Sequence, residues 1–214
     1  YKNEYTGAAN NWAGMAVDEK RGIVFVPTGS AGYDFWGGNR KGKNLFANCL
    51  LALDANTGKR LWHFQTVHHD IWDRDIPAPP NLFTVIQKGK KRDVVSILSK
   101  LGFMFVFDRV TGQPIFPIEE RSFPASDVVG EKTSKTQPIP LWPLPFVKQS
   151  FTEKDVNEWA SNKDEIIAEL RKSQTGQPFI PLSLTKKTIF FPATDGGAQW
   201  GGAAVDENSV MYIP

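Results

Sequence analysis

The 214-residue chain sets 25 Lys and Arg against 23 Asp and Glu, a formal net charge of +2, and so offers no basic stripe for nucleic acid. Seven Trp and 15 Phe beside 18 Gly and 15 Pro suit a twisted, turn-rich all-β protein with a sizeable core. No apolar run approaches the roughly 18 residues of a membrane span, no secretory or lipidation signal is visible, and the lone Cys49 excludes an internal disulfide.

The chain opens on Tyr1 and closes on a strand-like Met211-Tyr-Ile-Pro214 without a closing turn, so both ends are read as cut boundaries of a longer protein. A Trp-led strand, Trp12 to Asp18, is followed after an acidic turn by a β-rich strand from Gly22 to Pro27. The same order returns at Trp200 to Asp206 and Val210 to Pro214. Between these copies, Leu50 to Leu53 is a short apolar run and Asp54-Ala-Asn-Thr-Gly58 a tight turn. There Asp and Asn bond their own backbone and Gly takes a positive φ. Arg60 to Gln65 then resumes an aromatic strand. Phe107-Asp-Arg-Val-Thr-Gly112 repeats the turn 54 residues on, which predicts a repeated four-strand module of propeller-blade size. The expected division is a first module over 1–66, a second over 80–121, a loop and helical insertion over 122–184, and the start of a third over 185–214.

Ser122 to Pro145 is rich in Pro, Ser and Thr and reads as a long surface loop. Thr152-Glu-Lys-Asp155 and Ser161-Asn-Lys-Asp164 both read as capping boxes, each ahead of apolar residues at helical spacing. They predict two short helices, at 153–160 and 162–172.

The chemistry concentrates in His68-His-Asp-Ile-Trp-Asp-Arg-Asp75. Two imidazoles and three carboxylates in one loop can supply a general base or metal ligands. They can equally cap turns and satisfy backbone carbonyls. Zinc-type spacing is absent.

Taken together, Trp12 and Asp18 opening a module, PTGS from Pro27 to Ser30, LDANTGKRLWHFQ from Leu53 to Gln65, HHDIWDRD, and Lys100 before FDRVTGQPIFP resemble the pyrroloquinoline-quinone-dependent dehydrogenases, in particular the glucose dehydrogenase branch. The resemblance covers the whole chain, least clearly the helical insertion. It implies about two to three blades of an eight-bladed β-propeller with a short helical insertion. The implied reaction is oxidation of a glucose-like sugar or an alcohol, with hydride passing to the quinone above a calcium or magnesium ion. Electrons then pass to ubiquinone or a cytochrome c. It further implies a periplasmic protein, soluble or membrane-attached through parts not in this chain.

By the same resemblance, Asp73 is the catalytic base and touches both quinone and metal. Lys100 hydrogen-bonds the quinone carbonyls, and Trp12 is the indole on which the quinone stacks. Ser30 stands where the family commonly has an Asn metal ligand, and a hydroxyl is the shorter and weaker donor. Further cofactor contacts of the family belong to other blades, so residues 1–214 alone are expected to be inactive. The contrasting reading is a related non-catalytic propeller scaffold that binds partner proteins, which has no use for the polar loop or for Lys100.

Overall fold

A computed structural model describes residues 7–214. The first sheet is an antiparallel meander of β1 (Ala16–Asp18), β2 (Ile23–Pro27), β3 (Cys49–Asp54) and β4 (Arg60–Gln65), in that spatial order. The second runs β5 (Asn81–Gln87), β6 (Lys90–Leu98) and β7 (Met104–Asp108), and a bridge from Phe107 to Pro114 extends it. A third pairs β8 (Ile118–Ser122) with β9 (Thr136–Pro140), and a short hairpin pairs β10 (Ala204–Val205) with β11 (Met211–Tyr212). Both Trp-led repeats therefore fold as hairpins.

The two Asp-x-x-Thr-Gly turns are built alike. Asp54 Oδ1 accepts from the Asn56 and Thr57 amides and from Thr57 Oγ1, at 3.1, 2.8 and 2.7 Å. Asp108 Oδ1 accepts from the Val110 and Thr111 amides and Thr111 Oγ1, at 3.0, 2.9 and 3.0 Å. The glycine closing each turn is left-handed, with φ of 68° at Gly58 and 69° at Gly112. An L side chain is disfavoured there.

The core lies where the first two sheets meet. Phe25, Leu50 and Ala52 of one sheet and Val95, Ile97, Phe105 and Phe107 of the other are buried in a single cluster. Trp62 bridges the sheets, with its ring centre 5.8 Å from that of Phe25 and 5.9 Å from that of Phe107. Phe64 adds a contact to Phe107 at 4.8 Å. Rings at such distances add about 0.5–1.5 kcal/mol per pair to the area they bury. Cys49, on the other face of β3 from Leu50 and Ala52, is also buried, and burial pushes its thiol up to about 12 and keeps it protonated.

Three expectations require correction. The Pro-rich stretch 122–145 is not wholly a loop: Thr136–Pro140 forms β9, with Gln137 fully buried and exchanging hydrogen bonds with the His68 backbone. An edge strand tolerates proline on its unpaired side. The expected first helix reduces to a single 3-10 turn, Glu153–Asp155. Thr152 and Asp155 do form the capping box, yet Val156 is already extended, so the cap has no helix to propagate. The second helix is α1 (Lys163–Lys172), but its N-cap is Asn162, with no side-chain cap bond, rather than Ser161.

Candidate functional site

The loop after β4 carries the site, and buried polar bonds hold its shape. Asp70 organises it: Oδ2 accepts from Ser30 Oγ (2.6 Å), Asn48 Nδ2 (2.8 Å) and the Arg74 amide (2.7 Å), while Oδ1 accepts from the Trp72 amide (2.8 Å). Trp72 is the apolar anchor, buried against Phe179, with its indole N–H donating to Ile180 O at 2.7 Å. Arg74 is fully buried and donates to the carbonyls of Pro192 and Ala193, both at 2.8 Å. The residue between these anchors, Asp73, is held in the left-handed region at φ 58°. That conformation costs a non-glycine residue about 1–3 kcal/mol and persists only where the surroundings enforce it.

Lys100 arrives from the second sheet. It follows β6 in a turn closed by the Gly102 amide on Ser99 O, and its own amide donates to Asp75 O. Gly196 packs so closely on it that a Cβ there would lie 2.5 Å from Lys100 O. Lys100 Nζ lies 2.8 Å from Asp73 Oδ2 and 2.8 Å from Asp75 Oδ2, one ammonium between two carboxylates. Asp75 Oδ1 also accepts from the Ser30 amide at 2.6 Å.

The two acids titrate apart. Burial pushes Asp73 up to about 7; the Lys100 hydrogen bond opposes this, while the charge of Asp75 and its hydrogen bond reinforce it. Burial acts in the same sense on Asp75, but the Lys100 hydrogen bond and charge and the Ser30 amide outweigh it and hold that carboxyl below its ordinary value. Lys100 is raised: burial lowers it, and the hydrogen bonds of Asp73 and Asp75 more than compensate. Burial thus favours the protonated form of Asp73, whereas Lys100 and the Ser30 amide favour the ionised form of Asp75.

Trp12 completes the cluster. A Cβ on Gly29 would lie 2.8 Å from Asp75 Oδ1 and 3.1 Å from Trp12 Nε1, so only glycine lets the indole and the carboxylate share that place. The indole is 45% exposed, which leaves ring surface open to a planar partner. Trp12 thus lies beside Asp75, which Lys100 joins to Asp73, and the group fits a flat, carbonyl-bearing anion. The indole offers a stacking face, and the lysine a donor.

Ser30 belongs to the same cluster through its amide, while its hydroxyl donates to Asp70. Among the described residues no group of three His, Cys, Asp or Glu is arranged to hold a metal ion. Calcium requires about six to eight oxygens, and here two of the nearby carboxylates already share Lys100. The residues present do not make a hard-cation site by themselves.

His68 and His69 take no part in the carboxylate cluster. The His68 ring bonds Gln65 Oε1 at 2.7 Å and Glu120 Oε1 at 3.0 Å, and His69 Nδ1 bonds Gly42 O at 2.7 Å. Sequence reasoning placed Asp75, Arg74 and Gly29 in its motifs without giving any of them a role of its own, and it passed over Asn48 and Gly196. Adjacent glycines at 196–197 and the second acid of Asp73-Arg-Asp75 were the available signals. Asp34, raised by burial and then by the charges of Asp75 and Asp70, is a further acid within electrostatic reach and had no signal.

Strand meanders packed face to face, with a buried lysine–carboxylate cluster where their connections meet, suit a segment of a β-propeller. The chain belongs to the PQQ-dependent dehydrogenases: the family model described as the β-propeller domain of glucose/ethanol/alcohol dehydrogenases matches residues 1–214. The chain is similar to quinoprotein glucose dehydrogenase A of Acinetobacter calcoaceticus, 38% identical over 95% of this chain and 26% of that protein. It is 36% identical to quinate/shikimate dehydrogenase (quinone) of Acinetobacter baylyi, over 96% of this chain and 25% of that one. The glycerol dehydrogenase large subunit of Gluconobacter oxydans is 34% identical over 99% and 29%. The chain therefore spans about a quarter of the length of these curated relatives. A europium-containing methanol dehydrogenase shares the fold, with a TM-score of 0.62 at 21% identity over 97% of this chain and 30% of that one.

Proposed function

We propose that these residues form the acid–base half of a site that oxidises a hydroxyl group on a sugar or other polyol, in a protein loaded with pyrroloquinoline quinone. The observation that carries this reading is the Lys100 ammonium, 2.8 Å from both Asp73 and Asp75, with the half-exposed indole of Trp12 next to Asp75. A non-catalytic scaffold gains nothing from burying such a triad. When bound, the quinone supplies a two-electron acceptor.

Asp73 takes the proton of the substrate hydroxyl at a carboxylate oxygen, which requires its ionised form and therefore a pH above about 7. Lys100 holds that carboxylate in place and puts a fixed positive charge beside carbonyl oxygens, where negative charge accumulates on reduction. Asp75 keeps Lys100 charged and fixes the direction of its Nζ. Trp12 sets the plane of the ring system. Relatives named for glucose, glycerol and quinate support a polyhydroxylated substrate.

Ubiquinone or a cytochrome c as electron acceptor, a periplasmic location, and calcium or magnesium completed by ligands outside residues 7–214 belong to the same proposal. So does the inactivity of residues 1–214 alone, and submicromolar quinone binding by the 214-residue chain would overturn that part.

The deciding test uses the complete protein, reconstituted with the quinone and calcium or magnesium and assayed with a dye acceptor against aldoses and polyols. Asp73→Asn is expected to keep the quinone and lose about 10²–10⁴ in rate, the usual contribution of a general base. Retention of most of the rate with the cofactor bound would remove Asp73 from that role.

A further inference from the structure

A basic hollow lies beside the site loop, with His69 of that loop in its wall. Its volume is ≈ 510 Å³, within the usual span of small-molecule sites, and its walls come from the segments 38–43 and 132–134 together with His69. Arg40, Lys41, Lys43 and Lys132 line it along with the hydroxyl-bearing Thr133 and Ser134, and no carboxylate does. Among the described residues Lys41, Lys43 and Lys132 make no ion pair.

Two buried polar atoms of the lining residues, Arg40 Nε and His69 Nε2, have no hydrogen-bond partner. Both atoms are closed off from the hollow, His69 Nε2 lying towards Gly37 and Glu131, so the surface that faces an occupant is made by the lysines and hydroxyls. Glu131 lies behind His69, 3.8 Å from Nε2, but the Gly37 and Lys132 amides hold its carboxylate at 2.8 and 3.0 Å and offset its charge.

We propose that this hollow binds a phosphate group, free or on a small organic ester. Three lysines that make no ion pair suit a dianion better than a single carboxylate, and the two hydroxyls and the glycine backbone at 38 and 42 supply further donors to its oxygens, while Arg40, bonded to Asn44, Tyr33 O and Asp70 O and facing the charges of Asp70, Glu131 and Asp34, is a fixed part of the wall. Arg40 donates to Asp70 O at 2.7 Å, so an occupant would lie directly behind the loop that presents Asp73. Binding there is independent of the chemistry assigned to that loop.

Calorimetric titration of the complete protein at low salt with inorganic phosphate, glycerol 3-phosphate and succinate tests it. Submillimolar binding of either phosphate is expected, at least tenfold tighter than succinate. Lys41→Gln/Lys43→Gln/Lys132→Gln should weaken it at least tenfold. The equal charge change Lys88→Gln/Lys90→Gln/Lys91→Gln on the exposed β5–β6 turn should leave it unaltered. Absence of phosphate binding, equal binding of succinate, or equal weakening by both triple variants would overturn the site. Flotation with phosphatidylglycerol vesicles separates the two sources of the group: binding to vesicles without binding to soluble phosphates would overturn the small-molecule assignment.

Discussion

The turn at 54–58 and the loop at 68–75 are both rich in aspartate, yet they use it in opposite ways. In the turn, Asp54 satisfies amides two and three residues ahead, and its exposed carboxylate depends on nothing farther along the chain. In the loop, Asp70 reaches Ser30, 40 residues away, and Asn48, 22 residues away, and Asp73 reaches Lys100, 27 residues on. The first aspartate makes local geometry, whereas the others join segments into a site. The turn therefore repeats almost unchanged at 108–112, while the carboxylate cluster occurs once among the described residues.

Breaking the loop's organiser should have the larger effect on stability. Asp70→Ala strands the Ser30 hydroxyl donor and two backbone N–H groups in the interior and removes one of three acceptors of Asn48 Nδ2, and loss of one partner from such a buried charged network costs about 3–5 kcal/mol. Denaturant unfolding of the complete protein should show that loss together with loss of quinone binding. By contrast, Asp54→Ala removes only exposed local bonds, and about 1 kcal/mol is expected. Comparable losses in the two variants would erase the distinction between local and joining aspartates.

This difference in reach decides what could be read in advance. The Asp54 and Asp108 turns, the hairpins at both ends and α1 follow from spacing, because each is closed by its own neighbours. Strand β9 did not, because its proline-rich sequence looks like a loop until Gln137 is seen bonded to His68. Asp73, Lys100 and Trp12 were legible only through family resemblance. Nothing in one dimension states that Gly29 lets Trp12 and Asp75 share a place, or that Asp75 rather than Asp73 is the fixed counter-ion. The separation of the 3-10 turn at 153–155 from a true helix is made by Val156, which is extended and drawn into the interior at 6% exposure.

Asp75→Asn sharpens the comparison from within the loop. The charge of Asp75 helps to raise Asp73, so its removal lowers the Asp73 pKa, and the rising limb of the pH–rate profile, expected near 7 in the parent, should move to lower pH. Stability runs the other way. A carboxyl raised from 3.8 to about 7 on folding stabilises the fold most below 3.8 and loses that contribution as pH climbs to about 7. Asp75, lowered on folding, contributes above 3.8 and loses its contribution as pH falls through its folded value. The parent should therefore become less stable over the interval in which it becomes active, and Asp75→Asn should compress that interval. A limb that stays near 7 in the variant would mean that Asp75 does not tune Asp73.

A further contrast separates the two repeated turns from each other. Gly58→Ala meets nothing within 4 Å and should cost only the left-handed strain of a non-glycine residue, about 1–2 kcal/mol. Gly112→Ala has the same φ penalty, but its Cβ would lie 2.6 Å from Trp62 Cδ2. That indole is fixed by Phe25, by Phe107 and by its N–H bond to Arg109 O at 3.1 Å, so relieving the clash should add about 1–3 kcal/mol. Chemical denaturation of the paired variants measures this excess directly. Because the turns are otherwise matched bond for bond, the excess reports how firmly the first sheet seats against the second, and hence how rigidly Asp73 is held opposite Lys100. Equal losses would mean that Trp62 yields freely and that the two halves of the site are held by their ion pairs rather than by the sheets beneath them.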